Sequence, residues 1–208
     1  MRIGIFCFRN DLRLQDNRAL QKARDACDRL HLVYVFEDRL WRGSAPHRIS
    51  THRARFILES LQCLMEQINN LGGGLNIIYG NIELSIPQFM DKHRAEICFL
   101  SQESAWEENK TEEALSKVVP TTLVSNATLL HPNDLPFALS DLPETFTQFR
   151  KKVEKSWIVR PCVTPPRSLN SCDSTHPNLP TLSDLGFFNN TLDPRSCFTF
   201  RGGASSGQ

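Results

Sequence analysis

The stretch Ile3-Gly4-Ile5-Phe6-Cys7-Phe8-Arg9-Asn10-Asp11-Leu12-Arg13-Leu14-Gln15-Asp16-Asn17 changes character sharply along its length. Its first six residues are glycine, cysteine, β-branched or aromatic and do not alternate with polar ones, the pattern of a strand covered on both faces. A charged loop follows, in which two arginines and two aspartates are interleaved with leucines. Arg–carboxylate pairs can tie such a loop down while its leucines pack beneath. Leu20, Ala23 and Cys27 then fall at helical spacing, and Asp16 or Asn17 supplies an N-cap.

The same alternation repeats outward. Leu32-Val33-Tyr34-Val35-Phe36 reads as a second buried strand. Over residues 51–71, Ala54, Ile57, Leu58, Leu61, Leu64, Met65, Ile68 and Leu71 recur every three or four positions, which predicts an amphipathic helix closed by Gly72-Gly73-Gly74. A strand over 75–79, a helix over 82–93 that tolerates Pro87 in its first turns, a strand over 97–100, a helix over 107–118 and a strand over 121–124 complete the series. Strand–helix alternation ending on a fifth strand predicts an α/β fold. It is a Rossmann-like (flavodoxin-like) doubly wound five-stranded parallel sheet with helices on both faces, in the order 2-1-3-4-5 or 3-2-1-4-5. Ligands bind such sheets beyond the carboxyl ends of the strands, here the loops 8–17, 36–51 and 101–108. A last helix over 145–155 places Phe146, Phe149 and Val153 on one face. From residue 159 the chain is rich in Pro, Ser, Asn and Thr without periodicity, so 1–158 reads as the domain and 159–208 as an extended, partly ordered linker.

The 208 residues are 40% hydrophobic and 23% charged, an ordinary globular composition. The net charge of +1 lacks the basic excess of a phosphate-gripping surface. None of the 7 cysteines forms a CxxC or a zinc-finger spacing, which predicts no metal site. Cys7, Cys63 and Cys98 lie in apolar runs and read as small buried hydrophobes of a reducing compartment. No signal peptide is evident and no apolar run nears the ~20 residues of a membrane span, so a soluble intracellular protein is expected. The sequons at Asn109, Asn126 and Asn189 then read as chance matches. GxGxxG, GxxxxGK[ST], GxSxG and HExxH are all absent, against conventional dinucleotide, P-loop, hydrolase and zincin chemistry. His31, His47, His52, His93, His131 and His176 read as surface or capping residues. Arg42, His47, Arg48, His52, Arg53 and Arg55 form a basic cluster at the entry of the long helix: a solvated face, or a contact for an acidic partner or anionic ligand.

The string from Phe8 to Asn17 resembles the opening of photolyases and cryptochromes, Phe-Arg-x-Asp-Leu-Arg-x-x-Asp-Asn after a strand. Tyr34-Val35-Phe36-Glu37-Asp38-Arg39 and Arg53-Ala54-Arg55-Phe56-Ile57-Leu58-Glu59-Ser60-Leu61 resemble the same family in the same order. Thr128-Leu129-Leu130-His131-Pro132-Asn133-Asp134-Leu135-Pro136-Phe137, with Leu142-Pro143 and Phe146-Thr147-Gln148-Phe149-Arg150-Lys151-Lys152-Val153-Glu154, resembles its DASH branch. Leu179-Pro180-Thr181-Leu182 and Phe200-Arg201-Gly202-Gly203 look like the end of that branch's linker, so the likeness covers nearly the whole chain.

The resemblance implies the N-terminal α/β (antenna) domain of a DASH-type cryptochrome/DNA photolyase, lacking the C-terminal FAD-binding domain, with no catalytic residue of its own. In the complete protein it implies a blue-light flavoprotein that repairs cyclobutane pyrimidine dimers, preferably in single-stranded DNA, or acts as a photoreceptor. FAD and lesion DNA would be held by the helical domain, and this chain alone would at most bind an antenna. Methenyltetrahydrofolate is a frequent antenna in the family, and the matching acidic loop is Gln102-Glu103-Ser104-Ala105-Trp106-Glu107-Glu108. Gln102, Glu103 and Glu107 are the candidate contacts, since a carboxylate accepts hydrogen bonds from a pterin's amino and ring N–H groups. The plainer reading is that Glu107 and Glu108 favour a helix N-terminus. Ser125 stands where the family has a tryptophan. The alternative is a non-enzymatic binding module that engages a protein partner or a second copy through the uncovered interdomain face.

Overall fold

The computed structural model describes residues 1–41, 48–174, 177–187 and 201–207. Five parallel strands, β1 (Ile3–Phe8), β2 (Arg29–Phe36), β3 (Leu75–Tyr79), β4 (Ile97–Gln102) and β5 (Thr121–Ser125), lie in the order β3-β2-β1-β4-β5. This is the second of the two orders that the alternation allowed. β2 begins three residues before its apolar run, because Arg29, Leu30 and His31 pair with Ile3, Gly4 and Ile5 of β1. Backbone laddering, rather than side-chain polarity, sets that boundary. For the same reason β4 runs on to Gln102, which lies opposite Ser125.

Helices α1 (Arg18–Ala26) and α3 (Thr51–Asn70) cover one face of the sheet. There Ala19, Leu20, Ala23, Leu61, Leu64 and Ile68 bury against Phe6, Phe8, Leu32 and Phe99. Helices α4 (Ile82–His93) and α5 (Trp106–Val118) cover the other face, where Ile86, Met90 and Leu115 meet Ile5, Cys7, Val33 and Cys98. Successive strand residues thus feed two separate cores, which is why the strands read as unbroken apolar runs. Asn17 is the α1 N-cap, its side-chain oxygen accepting from the Leu20 N–H. Gly72 leaves α3 at φ +74, the left-handed turn that its glycine was expected to supply.

Among the described α-helices, one had no sequence signal. The four-residue helix α2 (Asp38–Trp41) is too short for periodicity and turns Trp41 into the core at 2% exposure. The final helix α6 (Phe146–Val153), capped by Thr145, spans its apolar pattern, ends two residues short of the expected 155 and buries only Val153.

The Pro- and Ser-rich stretch is laid across the domain rather than away from it. Asp16, at φ 47, grips it at two points. The Asp16 N–H donates to the Val163 carbonyl, and the Val163 N–H donates to Asp16 Oδ1, both at 3.0 Å. Further on, Leu185 and Phe187 enter the core, with Phe187 edge-on to Trp41 at 6.2 Å. The chain then returns along α3, where the Gly202 N–H donates to Glu59 at 2.7 Å and any Cβ on Gly202 would collide with the Phe56 carbonyl.

The polar residues depart from expectation in three places. His31 is buried, because it belongs to a strand covered on both sides, whereas His131 does cap a turn by accepting from the Asn133 N–H. Cys63 is only partly buried at the edge of α3, while Cys7 and Cys98 are sealed, and burial pushes the Cys7 thiol up to about 12. The leading loop is held by hydrogen bonds such as Arg13 to the Asp16 carbonyl rather than by the expected Arg–carboxylate pairs, and Arg9 pairs outside it. Arg42 and His47 of the basic cluster, His176, Asn189, Cys197 and Phe200 lie outside the described residues. No described helix is long and apolar enough to cross a membrane.

Candidate functional site: a cleft at the carboxyl ends of the first two strands

The loop after β1 reaches outward for its partners. Arg9 donates to Glu112 of α5 at 2.6 Å, both side chains nearly sealed (7% and 4% exposed), and the Glu103 N–H donates to the same carboxylate at 2.9 Å. Asp11 accepts from Ser101 of β4 and, at 3.2 Å, from the Asn17 side chain, which in turn accepts from Asn126 at 3.2 Å. Asn126 also accepts from the Arg18 N–H. One buried polar network therefore ties the ends of β1, β4 and β5 to the start of α1, at the point where the strand order reverses. Buried polar groups are tolerable when satisfied in this way.

Beside this network opens a cleft of about 560 Å³, within the usual range for small-molecule sites. Phe8 and Arg9 of β1 and its loop, Tyr34 and Glu37 at the end of β2, Trp41 of α2, Arg53 and Phe56 of α3, and Glu107 and Glu108 of α5 line it. Its floor is aromatic. Trp41 stands 4.9 Å from the ring of Phe36, and Phe36 is 5.1 Å from Tyr34.

Glu37 is the distinctive group. Burial holds its carboxyl above the ordinary range, against the lowering pull of Arg39 and Arg9. Arg39 Nε stands 3.0 Å from Glu37 Oε2 without aligning a hydrogen bond on it. The Arg39 guanidinium is drawn instead to Glu83, at 2.6 Å, and to Thr111, at 3.2 Å. The cleft thus contains a carboxyl, paired with Arg39 without an aligned hydrogen bond, above an aromatic floor, a set that suits a planar heterocycle bearing N–H groups.

The three candidate contacts are not brought together. Glu107 lines the cleft and pairs with Arg48 at its rim, a half-exposed pair worth little energetically. Glu103 lies beyond the lining, accepting at 2.9 Å from Asn10, which does line it. Gln102 is exposed at the end of β4 and lies outside the lining. Glu37 and Trp41 were missed, although both fall in the 36–51 loop expected to border a ligand. An acid followed by a tryptophan four residues later was the available signal, since α2 folds both toward the cleft.

Comparison with known proteins shows the fold and the family. The family model described as DNA photolyase matches residues 5–167. The Cryptochrome DASH of Gloeobacter violaceus is 34% identical over 209 residues, covering 96% of this chain and 42% of that protein. The crystal structure of a Synechocystis sp. PCC6803 cryptochrome superposes with a TM-score of 0.87 at 30% identity, over 100% of this chain and 44% of that one. An archaeal photolyase from Sulfolobus tokodaii, described as holding two FAD molecules with the implication of a novel light-harvesting cofactor, superposes with a TM-score of 0.77 at 25% identity, over 99% of this chain and 45% of that one. The chain spans less than half the length of the relatives it matches.

Proposed function

Because the chain belongs to the DNA photolyase family, with DASH cryptochromes among its relatives, we propose that its cleft carries a light-harvesting pterin such as methenyltetrahydrofolate. The carrying observation is the Glu37 carboxyl beside an aromatic floor. Trp41 and Tyr34 bound a planar ring, Glu37 accepts from its N–H groups, and Glu107 with Arg48 closes the rim. A bound pterin supplies absorption in the near ultraviolet and blue. The residues of this chain hold it, orient it and keep water from one of its faces. The complete protein is read as a blue-light FAD flavoprotein that acts on cyclobutane dimers in DNA, preferably single-stranded, or signals. This chain alone is read as neither holding FAD tightly nor repairing DNA.

The expected result of titrating the purified chain with methenyltetrahydrofolate is saturable quenching of intrinsic tryptophan fluorescence. Glu37→Ala should weaken binding by roughly tenfold or more, the scale of one lost hydrogen bond to a charged group. Glu107→Ala should weaken it less, because its side chain is more than half exposed. Titration with no saturation, or full affinity in Glu37→Ala, removes the reading. A stoichiometric flavin band in the purified chain would contradict the second half of it.

A second reading, engagement of a protein partner or a second copy, is favoured by one observation. Leu139, Leu142, Phe146 and Ile158 stand 63%, 54%, 75% and 80% exposed along one stretch of the chain. Exposed large apolar side chains mark interaction sites where they join into one patch. Sedimentation over a hundredfold concentration range should then show self-association that Phe146→Asp reduces; strict monomers throughout exclude the second copy.

A further inference from the structure

Residues 170–172 lie where no strand of the sheet reaches. β3 begins opposite Leu32, so residues 29–31 of β2 are open on that side. The strap fills the gap. Ser171 pairs in parallel with Leu30, the Leu30 N–H donates to the Asn170 carbonyl at 2.7 Å, and the Cys172 N–H donates to the Leu30 carbonyl at 2.8 Å. A buried cluster locks its end. Nδ1 of His31 lies 2.8 Å from Oδ2 of Asp173, and Asn76 donates to the same oxygen at 2.7 Å. His93 of α4 packs edge-on to His31 with ring centroids 4.6 Å apart, and stacks on Phe89 at 4.1 Å.

We propose that this histidine pair makes the strap a pH-gated clasp, closed while at most one imidazole is protonated and released in acid when the second takes up a proton. Asp173 can balance one imidazolium. A second at this separation, in a partly buried site, meets repulsion from the first and from Lys92 on the same helix. The other ionisable groups nearby are Arg29 of β2 and Cys172 of the strap, and neither adds negative charge at neutral pH.

Burial first, and then His31 and Lys92, hold His93 below the ordinary histidine value. Asp173 is also held low, since the hydrogen bonds from His31 and Asn76 outweigh the raising effect of burial. Both groups have depressed folded-state values, so both contribute stability at high pH that is lost as pH falls. For His93 the loss begins near the unfolded histidine value of about 6.5, and for Asp173 near the unfolded carboxylate value of about 3.9.

Amide hydrogen exchange, corrected for intrinsic rates, reads this directly at the Leu30 and Cys172 N–H groups. Between pH 7.5 and 5 their protection should fall at least severalfold as His93 takes up a proton, while Phe99 in β4 stays protected. His93→Phe and His93→Gln, which carry no titrating ring, should both flatten the profile. Asp173→Asn should lower protection at both pH values. An unchanged protection in acid, an equal fall in the His93 variants, or a parallel loss at Phe99 overturns the clasp.

Discussion

Glu112→Ala is expected to cost the domain roughly 3–5 kcal/mol, the price of leaving one member of a sealed ion pair alone. Both partners are almost inaccessible, so the Arg9 guanidinium cannot turn to water. The Glu103 N–H loses its acceptor at the same time. For a domain of this size the midpoint of thermal unfolding should fall by about 10 °C. Urea unfolding followed by circular dichroism measures the change. The paired replacement Arg9→Met with Glu112→Leu should recover most of the loss, because apolar substitutes for a buried pair are often neutral. A single-variant cost below about 1 kcal/mol would mean that the pair is solvated in practice and that the network does not hold the loop.

Trp41→Ala should cost a similar amount, roughly 3–5 kcal/mol, by opening a large cavity. The indole is 2% exposed and meets Phe36 at 4.9 Å and Phe187 at 6.2 Å, so its removal unseats both the end of β2 and the segment that carries Leu185 and Phe187 into the core. The same variant removes the floor of the cleft, and pterin binding should disappear even at temperatures where the domain remains folded. Trp41→Phe separates the two effects. It keeps an aromatic surface and should lose stability by much less, so intact binding in Trp41→Phe with none in Trp41→Ala assigns the floor to the ring. Equal binding in all three proteins would dismiss Trp41 as a ligand contact.

The strands and their helices were legible because each central strand is covered twice. Ile5 and Cys7 feed one core and Phe6 and Phe8 the other, and the resulting apolar runs stand out against polar loops. What escaped was of two kinds. Boundaries that depend on pairing, such as Arg29 to His31, carry polar side chains on a backbone that must still satisfy its ladder. Single anchoring residues escaped as well. Leu185, Phe187 and Asp173 each make decisive contacts from a stretch with no repeating pattern, and no periodicity can announce a residue that acts once.

The site was half legible for a related reason. The family resemblance pointed to the acidic loop after β4, and Glu107 of that loop does reach the cleft. Glu37 arises from a different strand and a turn too short to predict, and only the folded chain sets it beside Trp41. The arginines and aspartates of the opening loop were read as a self-contained set of pairs. In the structure Arg13 stays within the loop, donating to the Asp16 carbonyl, while the others also reach outside it: Arg9 to α5, Asp11 to β4, and Asp16 to Val163. The loop is a junction because it sits where several strand ends converge, which local composition cannot express.

The narrow passage of Gly202 against α3 has a practical side. Gly203 and Ala204 form part of the cleft's border, so a fusion attached just past residue 207 would begin close to the proposed ligand site. A tag, dye or reporter fused downstream would be tethered beside that site. It would slow access if bulky, and if fluorescent it would sense whether a guest is home, which makes the distal end of this chain a vantage point for watching occupancy.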